Sequence, residues 1–525
     1  MEDLNVFSGR SISVVNDLSL DEQIYLYEKT RELKDEIQNG NGGDRFKIND
    51  PDLSIYLLFF ENSTRTKESF RNAAKFHNSR VNDFNVAGSS FNKKESITDT
   101  IRMLFGYSRR SMFIVRSGLE GVCRSLESSI GNYAEKIGMP HPSFINAGDG
   151  RHEHPTQEFL DEFSFLEQKN WNRDSFHIAL VGDLFHGRTV HSKADGLKIF
   201  KDVRVDLVAP EELAMPPYYE EKMKANGFCV KKYSSIDEYL AQKDVARTWY
   251  FTRLQLERMG DKVREKAGEL RKMVAFSENY LPELKTKTKF FHPLPRHKIY
   301  PTVPSFLDST DLNGWDLQSM NGYFTRIMEI GLLSGHIGGD FKGRSVATPE
   351  FPDDFVKEAD IKVKVKHDYK VGIKPVDNGI VIDHIGKGKD IERVWDHINK
   401  IRRLMKLNSI SSHGVYSSEG SKSYKGIISL PKIQSFDERQ IKMLGAIAPG
   451  CTLNIIKERK IFKKYRLHIP PRIYNFDEIS CKNENCISYP DHYQNVEPEF
   501  TRLESSTFVC KYCEKPHNFH EIWDK

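Results

Sequence analysis

Short apolar runs alternate along the first two thirds of the chain with longer stretches whose apolar residues recur at helical spacing. Leu26, Leu33 and Ile37 share one face of a segment that Ser19 and Glu22 open with capping-box spacing and Gly40 closes, which predicts a helix over 19–40. Residues 55–60, 112–115 and 144–146 read as strands of one block, and 178–182, 203–209, 248–252, 273–276 and 290–292 as strands of a second. Strands alternating with helices in this way predict two doubly wound α/β domains with parallel sheets, over 1–150 and 151–335. The pattern weakens across 336–360, read as a linker rich in Gly and Pro. Beyond it, strands at 361–365, 379–382, 426–430 and 452–456 flank two helices. One carries Val394, Ile398, Ile401 and Met405 on a single face, and the other spans about 437–447. A small α+β domain is therefore expected over 361–465, with a cysteine-bearing β domain over 466–525.

The totals narrow the class further. At 525 residues, 38% hydrophobic and 11% aromatic, the chain has material for several packed cores. A net charge of +4 is small for that length and makes no general case for nucleic acid. No apolar run reaches membrane-spanning length and the first residues lack a secretory signal, so a cytoplasmic location without a membrane partner is expected. Of seven cysteines, Cys481, Cys486, Cys510 and Cys513 form two close pairs. Cys-x4-Cys followed by Cys-x2-Cys is a metal signature, and four thiolates suit structural, tetrahedral Zn2+. Such modules also present basic residues to nucleic acid, and Lys457, Arg459, Lys460, Lys463, Lys464 and Arg466 lie just upstream. Without an interleaved set of stacking aromatics, they read rather as a solvated face or an anion site.

The candidate chemistry gathers where the strands end. The run 55–60 breaks into Glu61-Asn62-Ser63-Thr64-Arg65-Thr66-Lys67 before a helical pattern carrying Phe70, Ala73 and Ala74. Helix N-terminal amides, hydroxyls and an arginine at one spot suit a phosphate; the plain alternative is an ordinary N-cap. Arg116, His154 with Gln157, Arg188, Arg253 with Gln255, and Leu294-Pro295-Arg296 follow other strands. One such arginine reads as surface. Several at the same topological place read as a site for substrates bearing phosphate and carboxylate groups. His152 and His154 alone make a weak case for a metal.

In this order the motifs Ser63-Thr64-Arg65-Thr66, His154-Pro155-Thr156-Gln157, Gly187-Arg188-Thr189-Val190-His191-Ser192, Thr252-Arg253-Leu254-Gln255-Leu256-Glu257-Arg258 and His292-Pro293-Leu294-Pro295-Arg296 resemble those of the aspartate carbamoyltransferase family. The resemblance extends to a catalytic chain fused through the linker to a regulatory chain. It implies a transferase of pyrimidine biosynthesis that converts carbamoyl phosphate and L-aspartate to N-carbamoyl-L-aspartate and phosphate. A carbamoyl-phosphate-binding domain would fill 1–150 and an aspartate-binding domain 151–335. Ser63, Thr64, Arg65 and Thr66 would hold the phosphate, and Arg116, His154 and Gln157 the carbamoyl group. Arg188, Arg253 and Gln255 would take the aspartate carboxylates. The carbonyls of Leu294 and Pro295, on a Leu–Pro bond that is cis in the family, would receive its amino group.

Ser89 and Lys93 lie in a segment resembling the mobile loop that a neighbouring subunit inserts. They would complete the carbamoyl phosphate site and imply a homo-oligomer, a trimer or a multiple of one, with shared active sites. His154, Arg65, Thr66, Arg116 and Lys93 are the expected catalytic residues, and Glu61 is expected to pair with Arg188 or Arg258 across the two domains. Arg253 with Gln255 favours aspartate over the cationic side chain of ornithine. In the C-terminal third, residues 379–385 resemble the nucleotide-effector segment, which implies allosteric regulation by nucleoside triphosphates at Asp383, His384 and Lys464. Ser429 stands where the family has an effector-touching lysine, so the affinity and sign of any effect stay open.

Overall fold

The computed structural model describes residues 5–84, 95–347, 350, 354–361, 373, 376–407, 412–417, 423–504 and 506–523. They fall into two compact units, divided between Ala347 and Thr348. In the first, β1 (Leu53–Phe59), β2 (Arg80–Asp83), β3 (Arg110–Ser117) and β4 (Ser143–Asp149) form a parallel sheet in the order β2-β1-β3-β4. A second parallel sheet joins β5 (Ser175–Val181), β6 (Asp202–Val208), β7 (Cys229–Tyr233), β8 (Thr248–Phe251) and β9 (Lys289–Phe291) in the order β7-β6-β5-β8-β9. All seven residues of β1 are buried, as expected of a central strand covered on both faces. Each sheet reverses its winding once, between β1 and β3 and between β5 and β8. Crevices outside the carboxyl ends at such switch points are where open α/β sheets bind ligands.

The helix Leu20–Gln38 starts as its sequence demands: Ser19 Oγ accepts from the Glu22 amide at 3.1 Å, and Glu22 Oε2 accepts from the Ser19 amide at 2.8 Å. Residues 273–276 do not form the expected strand. Leu270 and Val274, four apart, are buried on the helix Ala267–Val274, and so short an apolar run does not distinguish the two periods. Edge strands β2 and β7 carry Arg80-Val81-Asn82-Asp83 and Cys229-Val230-Lys231-Lys232-Tyr233, too polar and too exposed to announce themselves. Two helices tie the unit together. Pro155–Gln168, buried from Pro155 to Leu166, carries the chain from the first sheet to the second, and Trp315–Leu333 packs against it.

Residues 336–360, expected as a linker, divide between the units. Ile337 is buried, the Phe341 ring meets Phe7 and Tyr25 edge-on at 5.2 and 5.3 Å, and the Arg344 amide donates to Asp21 at 2.9 Å, all within the first unit. In the second, β10 (Val356–Glu358) is a strand. With β11 (Gly379–Gly388), β12 (Ser412–Ser417), β13 (Tyr424–Leu430), β14 (Thr452–Lys457) and β15 (Lys460–Leu467) it makes an antiparallel sheet, β10-β15-β14-β11-β13-β12. The strand expected at 361–365 lies, but for Ile361, outside the described residues. Helix Ile391–Leu404 buries Val394, Ile398 and Ile401, with Leu404 rather than Met405 completing the stripe. The basic run 457–466 is the hairpin joining β14 to β15. A last antiparallel sheet orders β16 (Arg472–Ile473), β17 (Phe500–Glu504), β18 (Thr507–Cys510) and β19 (Pro516–Asn518) in sequence.

Candidate active site, metal centre and effector face

The loops leaving β1, β5, β8 and β9, the end of β3 and the segment that follows β4 face one cleft of about 590 Å³ in the first unit. Ser63, Thr64, Arg65 and Thr66 line it from the first turn of the helix Thr64–Phe76. Ser63 occupies the N-cap position but makes no capping bond; its hydroxyl donates to Thr66 Oγ1 at 3.1 Å. The ordinary-cap alternative therefore does not describe this turn, whose amides point outward at the positive end of the dipole. Arg116, His154, Gln157, Arg188, Arg253 and Gln255 line the same cleft, as do Leu294 and Pro295, whose peptide bond is cis. Arg65 and Arg253, from different sheets, thus meet in one space. Ser89 and Lys93 lie outside the described residues.

Arg116 lies within β3 and not beyond its end, and donates through Nη1 to the Ala147 carbonyl at 3.0 Å. Its neighbour Gly148, at φ +109, leaves the room required: a Cβ there would come within 3.0 Å of both Arg116 Nη1 and Arg188 Cζ. Burial and the Arg116, Arg188 and Arg326 guanidiniums hold the His154 imidazole well below its usual range, so it is neutral. His292 is likewise pushed down to about 3 by burial and by Arg296, Arg253 and Arg65. Its Nδ1 accepts from the Leu294 amide at 2.8 Å and so braces the turn that carries Leu294 and Pro295. His152 is hydrogen-bonded to Asp149 at 3.1 Å.

Glu61 reaches both arginines expected of it. Its carboxylate accepts from Arg188 Nη1 at 3.1 Å and Arg258 Nη2 at 2.9 Å, with Arg116 Nε 3.6 Å away. Burial raises its pKa, but Arg188, Arg116 and Arg258 outweigh that and leave it below the ordinary carboxylate range. The same two arginines also donate to the Gly150 carbonyl, at 3.1 and 2.8 Å. Arg326 and Gln318, from the helix Trp315–Leu333, also line the cleft and were not singled out from the sequence. Neither follows a strand. The available signal was polar residues on the buried stripe of a helix.

The four expected cysteines come together. Cys481 Sγ lies 3.7 Å from Cys513 Sγ, Cys486 Sγ lies 3.9 Å from Cys510 Sγ, and all four sulfurs fall within 4.8 Å of one another. A tetrahedral ion about 2.3 Å from each sulfur requires sulfur separations of about 3.8 Å, so the donor set fits a metal. On the antiparallel sheet, register puts Asp383, Thr452 and Arg466 in one cross-strand row and Ser429, Val381, Asn454 and Lys464 in the next, all on one face. Asp383 accepts from the Tyr416 hydroxyl at 2.6 Å, and His384 Nδ1 lies 3.0 Å from Thr452 Oγ1. Asp383 and Lys464 thus share a face, and His384, at φ +64, sits in the irregularity of β11 between Ile382 and Ile385.

Three family descriptions match the chain: aspartate/ornithine carbamoyltransferase, carbamoyl-P binding domain, over residues 10–167; aspartate carbamoyltransferase regulatory chain, allosteric domain, over 371–468; and the metal binding domain of that regulatory chain over 471–523. Protein PyrBI of Thermotoga maritima is 54% identical across 98% of this chain and 99% of its own, and that of Treponema denticola 50% across 99% of each. Among solved structures, the aspartate transcarbamoylase of Trypanosoma cruzi in complex with N-(phosphonacetyl)-L-aspartic acid is 28% identical. It covers 62% of this chain and 96% of its own with a TM-score of 0.53. Among the described residues no helix is long and apolar enough to cross a membrane.

Proposed function

The chain belongs to the aspartate carbamoyltransferase family, as a catalytic chain continued into a regulatory chain, and from that membership we propose how its residues divide the work. The reaction transfers the carbamoyl group of carbamoyl phosphate to L-aspartate, giving N-carbamoyl-L-aspartate and phosphate. In our reading Ser63, Thr64, Arg65 and Thr66 seat the phosphate on the open first turn of their helix. Arg116 and neutral His154 donate hydrogen bonds to the carbamoyl oxygen, where negative charge grows as the amine attacks, and Gln157 meets the carbamoyl amide. Arg188, Arg253 and Gln255 hold the aspartate carboxylates, while the carbonyls of Leu294 and Pro295 aim its amine. The amine nitrogen forms the new C–N bond, the C–O bond to phosphate breaks with its electron pair, and the departing phosphate takes the amine proton.

No protein nucleophile is required, so alignment and charge compensation supply the acceleration. The observation that carries this reading is the meeting of Arg65 and Arg253 in one cleft. Ser89 and Lys93 enter from a second copy, which makes the working assembly a trimer or a multiple of one. The cysteine site holds zinc in a structural role, and Asp383, His384 and Lys464 bind nucleoside triphosphates that modulate the reaction. The cytoplasm is the proposed location. The test is a product assay on the full chain with aspartate and ornithine as competing acceptors, with and without each nucleotide. Carbamoyl-aspartate as the dominant product is expected, and preference for ornithine would overturn the assignment of Arg253 and Gln255.

A further inference from the structure

Beneath the cleft lies a buried ionic cluster that the reaction does not use directly. Lys193 is fully buried two residues beyond the Arg188–His191 turn. Its ammonium donates to Glu158 Oε2 at 2.7 Å and Asp161 Oδ2 at 2.9 Å, and sits 4.2 Å from the centre of the Tyr250 ring. The other oxygen of Asp161 faces the cleft wall. Oδ1 accepts from Gln157 Nε2 at 2.8 Å and from Gln318 Nε2 at 2.5 Å. Gln318 in turn accepts from the His292 amide at 2.9 Å, at the head of the turn carrying Leu294 and Pro295. One carboxylate therefore gathers a lysine and two cleft-lining glutamines from three separate segments.

An ionised carboxylate is an acceptor at both oxygens, so each glutamine must show it an NH2 group. For Gln157 that turns the amide oxygen to the cleft, where it accepts a hydrogen bond from a bound NH2 group. A reversed amide would set NH2 against NH2. We propose that Asp161, paired with Lys193, is a positioning residue that fixes the amide of Gln157 for the carbamoyl NH2 and so distinguishes carbamoyl phosphate from phosphate alone. This rests on Gln157 facing the carbamoyl group, as read above.

The experiment measures equilibrium binding of carbamoyl phosphate and of inorganic phosphate to the full-length chain. Asp161→Asn keeps the volume and removes the charge, so either amide orientation of Gln157 becomes compatible. Carbamoyl phosphate is expected to bind roughly tenfold more weakly, the cost of one misdirected hydrogen bond, while phosphate stays within about twofold. Should Asp161→Asn not fold, the double variant Lys193→Met/Glu158→Gln takes the ammonium away from Asp161 while keeping a neutral hydrogen-bonding group at position 158, and carries the same expectation. Parallel weakening of both ligands would show a general loosening of the cleft and overturn the inference, as would no change in either. Gln157→Ala separates the two levels. If it leaves carbamoyl phosphate affinity intact, the reading of Gln157 fails; if it weakens binding while the Asp161 and Lys193 variants do not, only the positioning role fails.

Discussion

Replacing Glu61 with glutamine tests the clasp at the mouth of the cleft. Its carboxylate bonds Arg188 and Arg258 at 3.1 and 2.9 Å, and its side chain is 30% exposed. A hydrogen bond to a charged group contributes about 1.5–3 kcal/mol, and breaking a fully buried ion pair costs about 3–5 kcal/mol. Partial exposure lowers the second figure, and the glutamine oxygen still accepts from one arginine, which leaves a loss of about 2–3 kcal/mol. That corresponds to roughly 30- to 150-fold in the population of the clasped cleft. Because Arg188 is a proposed aspartate ligand and the phosphate turn is not held by Glu61, the loss should fall on kcat/KM for aspartate. The affinity for carbamoyl phosphate should change by less than about threefold. Saturation curves in aspartate, set beside carbamoyl phosphate binding, read both. A change in kcat/KM for aspartate smaller than about threefold, or an equal fall in carbamoyl phosphate affinity, would refute the reasoning. The clasp should also resist mild acid: the folded pKa of Glu61 lies below its unfolded value, so its contribution is present above pH 4.5 and is lost only as pH falls through the lowered value.

Other perturbations separate the remaining parts. Arg253→Leu should cut kcat/KM for aspartate on the order of 100-fold while sparing carbamoyl phosphate binding; a parallel loss of both would contradict its placement. Both carboxyl oxygens of buried Glu329 lack hydrogen-bond partners among the described residues, and burial, only partly offset by Arg326, lifts its pKa to about 8. The unfolded chain then releases this proton from about pH 4.5 while the folded chain keeps it, so stability falls as pH rises toward 8, by up to about 1.4 kcal/mol per pH unit. Glu329→Gln should therefore raise Tm more at pH 8.5 than at pH 5, and an equal change at both would count against the buried charge. Chelation at neutral pH should make residues 471–523 sensitive to protease until metal is restored; resistance without metal would remove its structural role.

What could be read from residue order was whatever depends on near neighbours. Ser19 and Glu22 announced a helix start because both halves of the capping box lie within one turn. The four cysteines announced a metal because their pairs are local. The cleft arginines were legible because each closely follows or ends a central strand. Arg326 and Gln318 were not, since only the packing of Trp315–Leu333 against Pro155–Gln168 brings them to the cleft. Asp161 and Lys193 were hidden for the same reason, each reading as an ordinary helical charge until burial sets them 2.9 Å apart. Residues 273–276 misled because an apolar helix end and a buried strand have the same composition.

The two units, divided between Ala347 and Thr348, are parts of one continuous polypeptide. A covalent join makes the encounter of the two halves intramolecular, at an effective concentration that does not depend on that of the protein. Dilution cannot part them, and unequal synthesis cannot leave one without its counterpart, so the one-to-one stoichiometry of catalyst and regulator is written into the gene.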